Sequence, residues 1–599
     1  MRRSSTALLV TLLVSQLGSV THAEVPLRFD TPGASDDLRA VLQAASATRE
    51  TAAKDVSTAQ DLVAAARADY TRILAALYDQ GYYSGRISIR LDGREAATIP
   101  PLDAPDRIGS ITILIESGAP FRFGAAEIGP LAPETELPPA FQPGGRAASG
   151  TIVESARAGV EGWRQYGHAK AEVSGQSIRA NHATQTLDAR VVLDPGPRLT
   201  FGTMSMRGYE RMKPRRLAKI AGYPTGKRFD PDKLDEVRAR LRRTGIFSSV
   251  SLVESETISP GNTLDAELIV TEAKPRRIGF GAELSSNDGV DLSGYWLHRN
   301  LWGGGERLRF DAEITGLGGA AGGADYSLGA RIERPATLSP DTSAYIETKL
   351  EKRDEEDYTE DSFSLAFGLS HIFNDRLTGE LAIEYNWAEI ADVTGTRQFR
   401  QVALPMGLEW DNRDDPLDAT EGYYGALDVT PYKGLGDTGS GVQIKGDFRT
   451  YRGFGTDDRF VLAGRAQFGA VYGSGLAETP REYLFYSGGG GSVRGQPYQT
   501  LGVSVLNGGT LHTGGKKYLA FSGELRGKVT DSIGLVGFYD VGYIAAEDFF
   551  DGVDGWHSGA GIGLRYLTGI GPIRLDLAAP VDGDTGDGMQ IYLGIGQAF

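Results

Sequence analysis

A chain of 599 residues is too long for one ordinary domain, and its formal charge of -16 argues against nucleic acid as a partner. With no cysteine, neither disulfides nor thiolate metal sites enter its chemistry. Its 80 glycines suit a protein of many turns and kinked strands.

The first residues read as an export signal. Arg2 and Arg3 give a positive start, Ala7 to Val20 is mostly apolar, and Thr21-His22-Ala23 places a small residue ahead of Glu24. This predicts a cleaved signal peptide over residues 1–23. The alternative is a membrane anchor helix, but Ser15, Gln16 and Gly18 break the run. It also falls short of the ~20 apolar residues that a span needs.

A repeat follows, with units expected at 24–118, 119–196 and 197–274. Each contains an amphipathic helix, then a glycine, then a strand. Leu62, Tyr70, Ile73, Leu74 and Leu77 lead to Gly81-Tyr82-Tyr83. Val153, Ala156, Val160 and Trp163 lead to Gly167-His168-Ala169, and Leu234, Val237 and Leu241 to Gly245-Ile246-Phe247. Apolar residues at this spacing share one helix face, and the glycine suits a left-handed helix end. Ile111 to Ile115, Ala189 to Leu193 and Ala266 to Val270 are the expected closing strands. Pro-marked junctions also repeat, as in Gly118-Ala119-Pro120-Phe121 and Gly196-Pro197-Arg198-Leu199. The order strand–helix–helix–strand–strand resembles the POTRA domain. The third copy matches best, with Pro214 opening a helix; the second departs at Gly167-His168-Ala169.

From 275 to 599 helical spacing gives way to alternating runs of about ten residues, the signature of transmembrane strands. Ile278, Phe280, Ala282 and Leu284 face one way; Ala560, Ile562, Leu564 and Tyr566 do the same around Gly561, Gly563 and Arg565. Ile573, Leu575 and Leu577 alternate with Arg574 and Asp576. About sixteen such runs predict an even, closed barrel, which leaves no unpaired edge in lipid. The expected fold class is therefore α+β periplasmic repeats followed by an all-β, sixteen-stranded antiparallel barrel in an outer membrane. A sandwich or propeller is the soluble alternative, but no blade-length repeat is present. In the last run Ile591, Leu593, Ile595 and Phe599 are expected on one face. A final aromatic there resembles the signal read by outer-membrane assembly machinery.

The longest expected loop, Gly473 to Thr513, contains Gly488-Gly489-Gly490-Gly491-Ser492-Val493-Arg494-Gly495-Gln496-Pro497-Tyr498. Val493, Arg494 and Gly495 resemble the Val/Ile-Arg-Gly-Phe/Tyr motif of loop six in the BamA/TamA outer-membrane assembly superfamily. Gln496 stands where that motif has an aromatic. The resemblance implies a loop folded into the lumen, with Arg494 paired to inward acids. Phe538-Tyr539-Asp540-Val541-Gly542 matches the family's F-x-D-x-G strand, and alternation turns Glu524 and Asp540 to the lumen. One guanidinium can serve both carboxylates through its planar fork. Read alone, Arg494 is an ordinary arginine of a glycine-rich loop. Asp411 to Pro416, leading to Gly422, resembles a second family turn; a calcium loop is the alternative, without EF-hand spacing.

Three repeats before such a barrel resemble the TamA, or translocation and assembly module, branch. That resemblance implies an inner-membrane-anchored TamB-like partner and unfolded outer-membrane or autotransporter clients. No G-x-S-x-G elbow, P-loop or H-E-x-x-H is present, so no catalytic residue, metal or cofactor is expected. The expected action is mechanical. Gly279 and Gly281 on the first strand, with Gly594, Gly596 and Phe599 at the last, form a seam. Glycine weakens strand pairing there, so the seam can open sideways into outer-membrane lipid. The rival reading is a channel: a pore for one dedicated exoprotein, or a passive lipid or solute conduit.

Overall fold

A computed structural model describes residues 25–599, apart from 55–57, 101–102, 286–288, 319–322, 356, 506–510, 551, 553, 570 and 584–587. The expected signal peptide lies outside the described residues. The chain forms two compact units. One holds the residues up to Gly202 with Gly226–Asp232 and Thr257–Leu264; the other holds Thr203–Thr225, Lys233–Glu256 and Asp265–Phe599.

In the first unit, Leu27–Asp30 runs parallel to Ile111–Glu116, which pairs antiparallel with Arg86–Leu91. Helix Ala59–Asp79 covers this sheet and opens with a capping box between Thr58 and Asp61. Its Leu62, Ala66, Ile73 and Leu77 pack on Ile89, Ile111, Ile113 and Ile115. Asp69 is buried in mid-helix because it has work there. It accepts from the Ser46 hydroxyl (2.6 Å) and the Ala47 and Thr48 backbone N–H groups, so it caps the short helix Ala47–Ala52.

The second module pairs Arg122–Gly129 parallel with Thr186–Asp194, and the latter antiparallel with Glu172–Asn181. Here the expected two-helix order fails. Helix Ser149–Gln165 is present, but residues 130–148 run as turns. Pro130, Pro133, Pro138, Pro139 and Pro143 explain this. Each lacks the N–H a helix interior needs, and each restricts the residue before it. A groove of about 860 Å3 lies between Ser149–Gln165 and Glu172–Asn181, lined by Tyr83, Ile152, Val153, Val173 and Ile178.

The third module has the full order: Thr200–Arg207, helices Pro214–Ala221 and Pro231–Arg243, then Phe247–Glu254 and Thr263–Glu272. In the second unit its helices grip two barrel turns. Arg216 donates to the carbonyls of Gly304 (3.0 Å), Pro335 and Ala336. Lys219 reaches the Thr337 carbonyl (2.7 Å), while Arg240 (2.8 Å) and Arg243 converge on Asp341. Burial alone would raise the Asp341 carboxyl; the two guanidiniums hold it below its ordinary value.

The rest of this unit is one closed antiparallel sheet with seventeen strand segments among the described residues, from Arg276–Ser285 to Gln590–Ile595. Gly395–Ala403 and Met406–Asp411 share one slot. Both pair with Leu377–Asp392 on one side and Glu421–Gly434 on the other. Pro405, with no N–H to give the ladder, divides them. Alternation sets the two faces: Phe280, Ile562, Leu564 and Tyr566 are exposed, while Arg565 and Asp576 are buried.

The closing edges meet sparsely. The first strand has ten residue pairs with its neighbour Gly289–His298. With the last strand it has two, Leu284 with Leu593 and Ser285 with Tyr592. The end of the chain also departs from the expected single face. Ile591, Leu593 and Ile595 point outward, but Gly596 takes a φ of 92° and the chain turns in. Phe599 is buried among Ala419, Tyr451, Val461 and Ala463, and its carbonyl accepts from Arg526 (3.0 Å). A positive φ at glycine costs little, and that freedom ends the outward alternation one turn early.

Candidate functional site

The long loop between Phe460–Tyr472 and Lys517–Lys528 brings Val493, Arg494, Gly495 and Gln496 to buried positions inside the barrel. Arg494 is the centre of the arrangement. Its Nε and Nη2 meet the two oxygens of Asp540 at 2.7 and 3.0 Å, and its backbone N–H donates to the same carboxylate at 3.1 Å. Nη1 lies 2.6 Å from Glu524 and 3.5 Å from Asp576. The guanidinium carbon sits 3.6 Å from the centre of the Phe538 ring, a cation–π contact. Burial alone would lower the Arg494 pKa, but Asp540 and Glu524 hold it above its ordinary value.

Two further arginines complete the charge balance. Arg526 pairs with Glu524 (2.8 Å), and Arg565 pairs with Asp576. Three buried cations therefore face three buried anions, the condition under which buried charge is tolerable. Asp540 depends on Arg494 alone for an ion pair among the described residues, whereas Glu524 and Asp576 each have a second arginine. Asp576, Arg526 and Arg565 were not among the expected site residues. Their inward position in alternating runs was the signal available.

The loop tip also touches the last strand. The Gly495 N–H donates to the Tyr592 hydroxyl at 3.2 Å. Arg565 donates to Gln597 (2.7 Å), and Arg526 to the Phe599 carbonyl. Gln496, in place of an aromatic, donates its amide to the Ser558 (2.8 Å) and Asp582 (3.1 Å) carbonyls. There the ladder between Asp554–Tyr566 and Ile573–Asp582 is bulged, which frees those acceptors.

Glycine makes this closeness possible. Gly495 has a φ of 92°, and a methyl group on it would lie 2.6 Å from the Ala579 carbonyl oxygen. A methyl group on Gly559 would collide with the Arg494 carbonyl. Gly559→Ala should therefore push loop six off the wall, at a cost of about 1–3 kcal/mol. Limited proteolysis should cut the variant loop faster. Gly523→Ala, whose added carbon meets nothing within 4 Å, should leave it protected. Equal cleavage of both variants would mean that the loop does not rest on that wall.

Of the expected seam residues, Gly279 and Gly281 lie on the first strand opposite Tyr295 and Ser293, and Gly594 lies against Arg574. Arg574 reaches Glu283 of the first strand at 3.3 Å, a cross-seam ion pair. Gly596 forms the inward turn and Phe599 lies in the lumen, away from the seam edge. In the Asp411 to Gly422 turn the carboxylates are used internally. Asp411 pairs with Arg413 (2.7 Å), and Asp414 accepts from the Thr420 and Glu421 N–H groups.

A profile of the Omp85 superfamily domain matches residues 300–599. The fold is similar to BamA from Haemophilus ducreyi lacking POTRA domains 1-3, with a TM-score of 0.60 at 16% identity over 79% of this chain and 100% of that one. It is also similar to CdiB from Acinetobacter baumannii, with a TM-score of 0.52 at 11% identity over 79% of this chain and 89% of that one. At such identities the two structures speak for fold alone, while the profile covers half the sequence: the chain belongs to the Omp85 superfamily of outer-membrane barrel proteins.

Proposed function

We propose that this protein is a TamA-type assembly factor that inserts or secretes client outer-membrane proteins, autotransporters among them, through its lateral seam. The observation that carries this reading is the two-pair seam beside a neighbour pairing of ten. Few ladder bonds need to break for the wall to part there, and the exposed edge can template a client strand. Loop six rests on Tyr592 of the strand that would move. We count the two segments on either side of Pro405 as one strand, since both lie between the same two neighbours, and on that count the proposed barrel has sixteen strands.

The three modules form the recruiting arm. Glu172–Asn181 is an edge strand beside an apolar groove, the arrangement by which an extended peptide adds a strand. Unfolded clients, or an inner-membrane-anchored TamB-like partner, are the proposed occupants of the arm, and outer-membrane lipid surrounds the barrel. Export of a dedicated exoprotein through the same barrel is the alternative reading. A lumen occupied by loop six weighs against a passive channel.

Reconstitution into phospholipid vesicles tests the proposal. A urea-denatured barrel client should fold about tenfold faster than in empty vesicles, equal to a barrier lowered by ~1.4 kcal/mol. Steady large conductance with no acceleration of the client would overturn the proposal in favour of a pore.

A further inference from the structure

The outer wall beside the seam carries a groove of about 550 Å3, lined almost wholly by carbon. Such a volume lies within the roughly 300–1,000 Å3 of ordinary ligand pockets. Gly294, Ala312 and Ala330 form its floor, and Phe280, Trp296 and Leu350 are among its walls. The large side chains stand off the wall and the small ones do not, so the groove is written into the strands themselves.

Its direction follows from the register. One row of partners runs Ile278, Trp296, Phe310, Ala330, Thr348 across five strands. Ile278 is two residues above its strand's start at Arg276, and Thr348 is six above Thr342. At ~3.3 Å per residue the groove climbs from about 7 Å to about 20 Å along the strands. It therefore starts near the arm-side membrane interface at the seam and slants into the hydrocarbon core. Trp296 near its low end, with its ring 6.0 Å from His298, suits an interfacial aromatic.

The low end is cationic. Arg276 lies two residues before Ile278 on the same face, opposite His298. Lys274 is exposed beside it, on the same alternation, and neither has an ion pair among the described residues. We infer that an anionic phospholipid of the arm-side leaflet is held here. Its phosphate rests against Arg276 and Lys274, and one acyl chain lies along the groove beside the first strand. A lipid so held would mark the place where the wall parts.

The inference rests on reading the barrel as a membrane wall with a seam, but its test measures lipid, not client. Full-length protein in detergent would be titrated with dioleoyl phosphatidylglycerol or dioleoyl phosphatidylcholine and read by native mass spectrometry. One phosphatidylglycerol should be retained in preference to phosphatidylcholine. Each basic residue near a membrane surface contributes an amount equivalent to about fivefold in affinity. Arg276→Gln should therefore lower phosphatidylglycerol retention about fivefold and leave phosphatidylcholine unchanged. Ala312→Trp, or Ala330→Phe should the first fail to fold, fills the floor and should lower retention of both. Equal retention of the two lipids, indifference to the floor variants, or displacement by inorganic phosphate alone would overturn the inference. Client folding assayed in parallel keeps failure here separate from failure of the assembly reading.

Discussion

Arg494→Ala should release loop six from the lumen. The side chain is 3% exposed, and its removal strands Asp540 without a cation. Breaking a buried pair costs about 3–5 kcal/mol, because the remaining charge stays desolvated. Glu524 and Asp576 suffer less, since Arg526 and Arg565 still serve them. The loss should fall mainly on the loop, as the wall keeps its ladders. Protease access to residues near Val493 should rise sharply, and the unfolding temperature should drop. Arg494→Lys should recover only part, since an ammonium cannot form the two-pronged contact that Asp540 now receives. The double variant Arg494→Ala with Asp540→Asn is the decisive arm. It removes the stranded charge, so it should be no worse than Arg494→Ala and should regain part of the loss. Additive losses, or a protected loop in Arg494→Ala, would show that the pairing does not hold the loop.

The second large effect is expected at the seam. Leu284 and Leu593 lie directly opposite each other. Cross-strand partners have Cβ atoms ~4.5–5.5 Å apart, close enough for a disulfide after a small adjustment. The chain has no cysteine of its own, so Leu284→Cys with Leu593→Cys has a single pairing to make. Oxidised, the variant should still migrate as a folded barrel, yet client assembly should fall to the level of empty membranes. Reduction with dithiothreitol should restore it. A control bridge at Leu369 and Leu381, which pair within the wall, should leave assembly intact. Full assembly by the oxidised seam variant would sink lateral opening as the route.

Much of this arrangement could be read before any coordinates. Two-residue alternation turns Glu524 and Asp540 to the lumen, and the loop-six resemblance is what brings Arg494 inward to meet them. Asp576 could not be assigned to the same guanidinium. It sits two strands away from Asp540, and alternation says nothing about how far around a barrel a loop tip reaches. The missing helix of the second module is a different kind of miss. Its five prolines forbid the helix that the repeat of its neighbours implies. The direction of Phe599 depended on one torsion, that of Gly596, and glycine is the residue whose torsions a sequence constrains least.

That torsion has a consequence for coupling. Beyond Gly596 the chain turns in, and Phe599 is buried beside Tyr451 with its carbonyl accepting from Arg526. The same Arg526 guanidinium holds Glu524, which in turn holds Arg494. One cation thus ties the segment after the last strand to the charges under loop six, so loosening either should loosen the other.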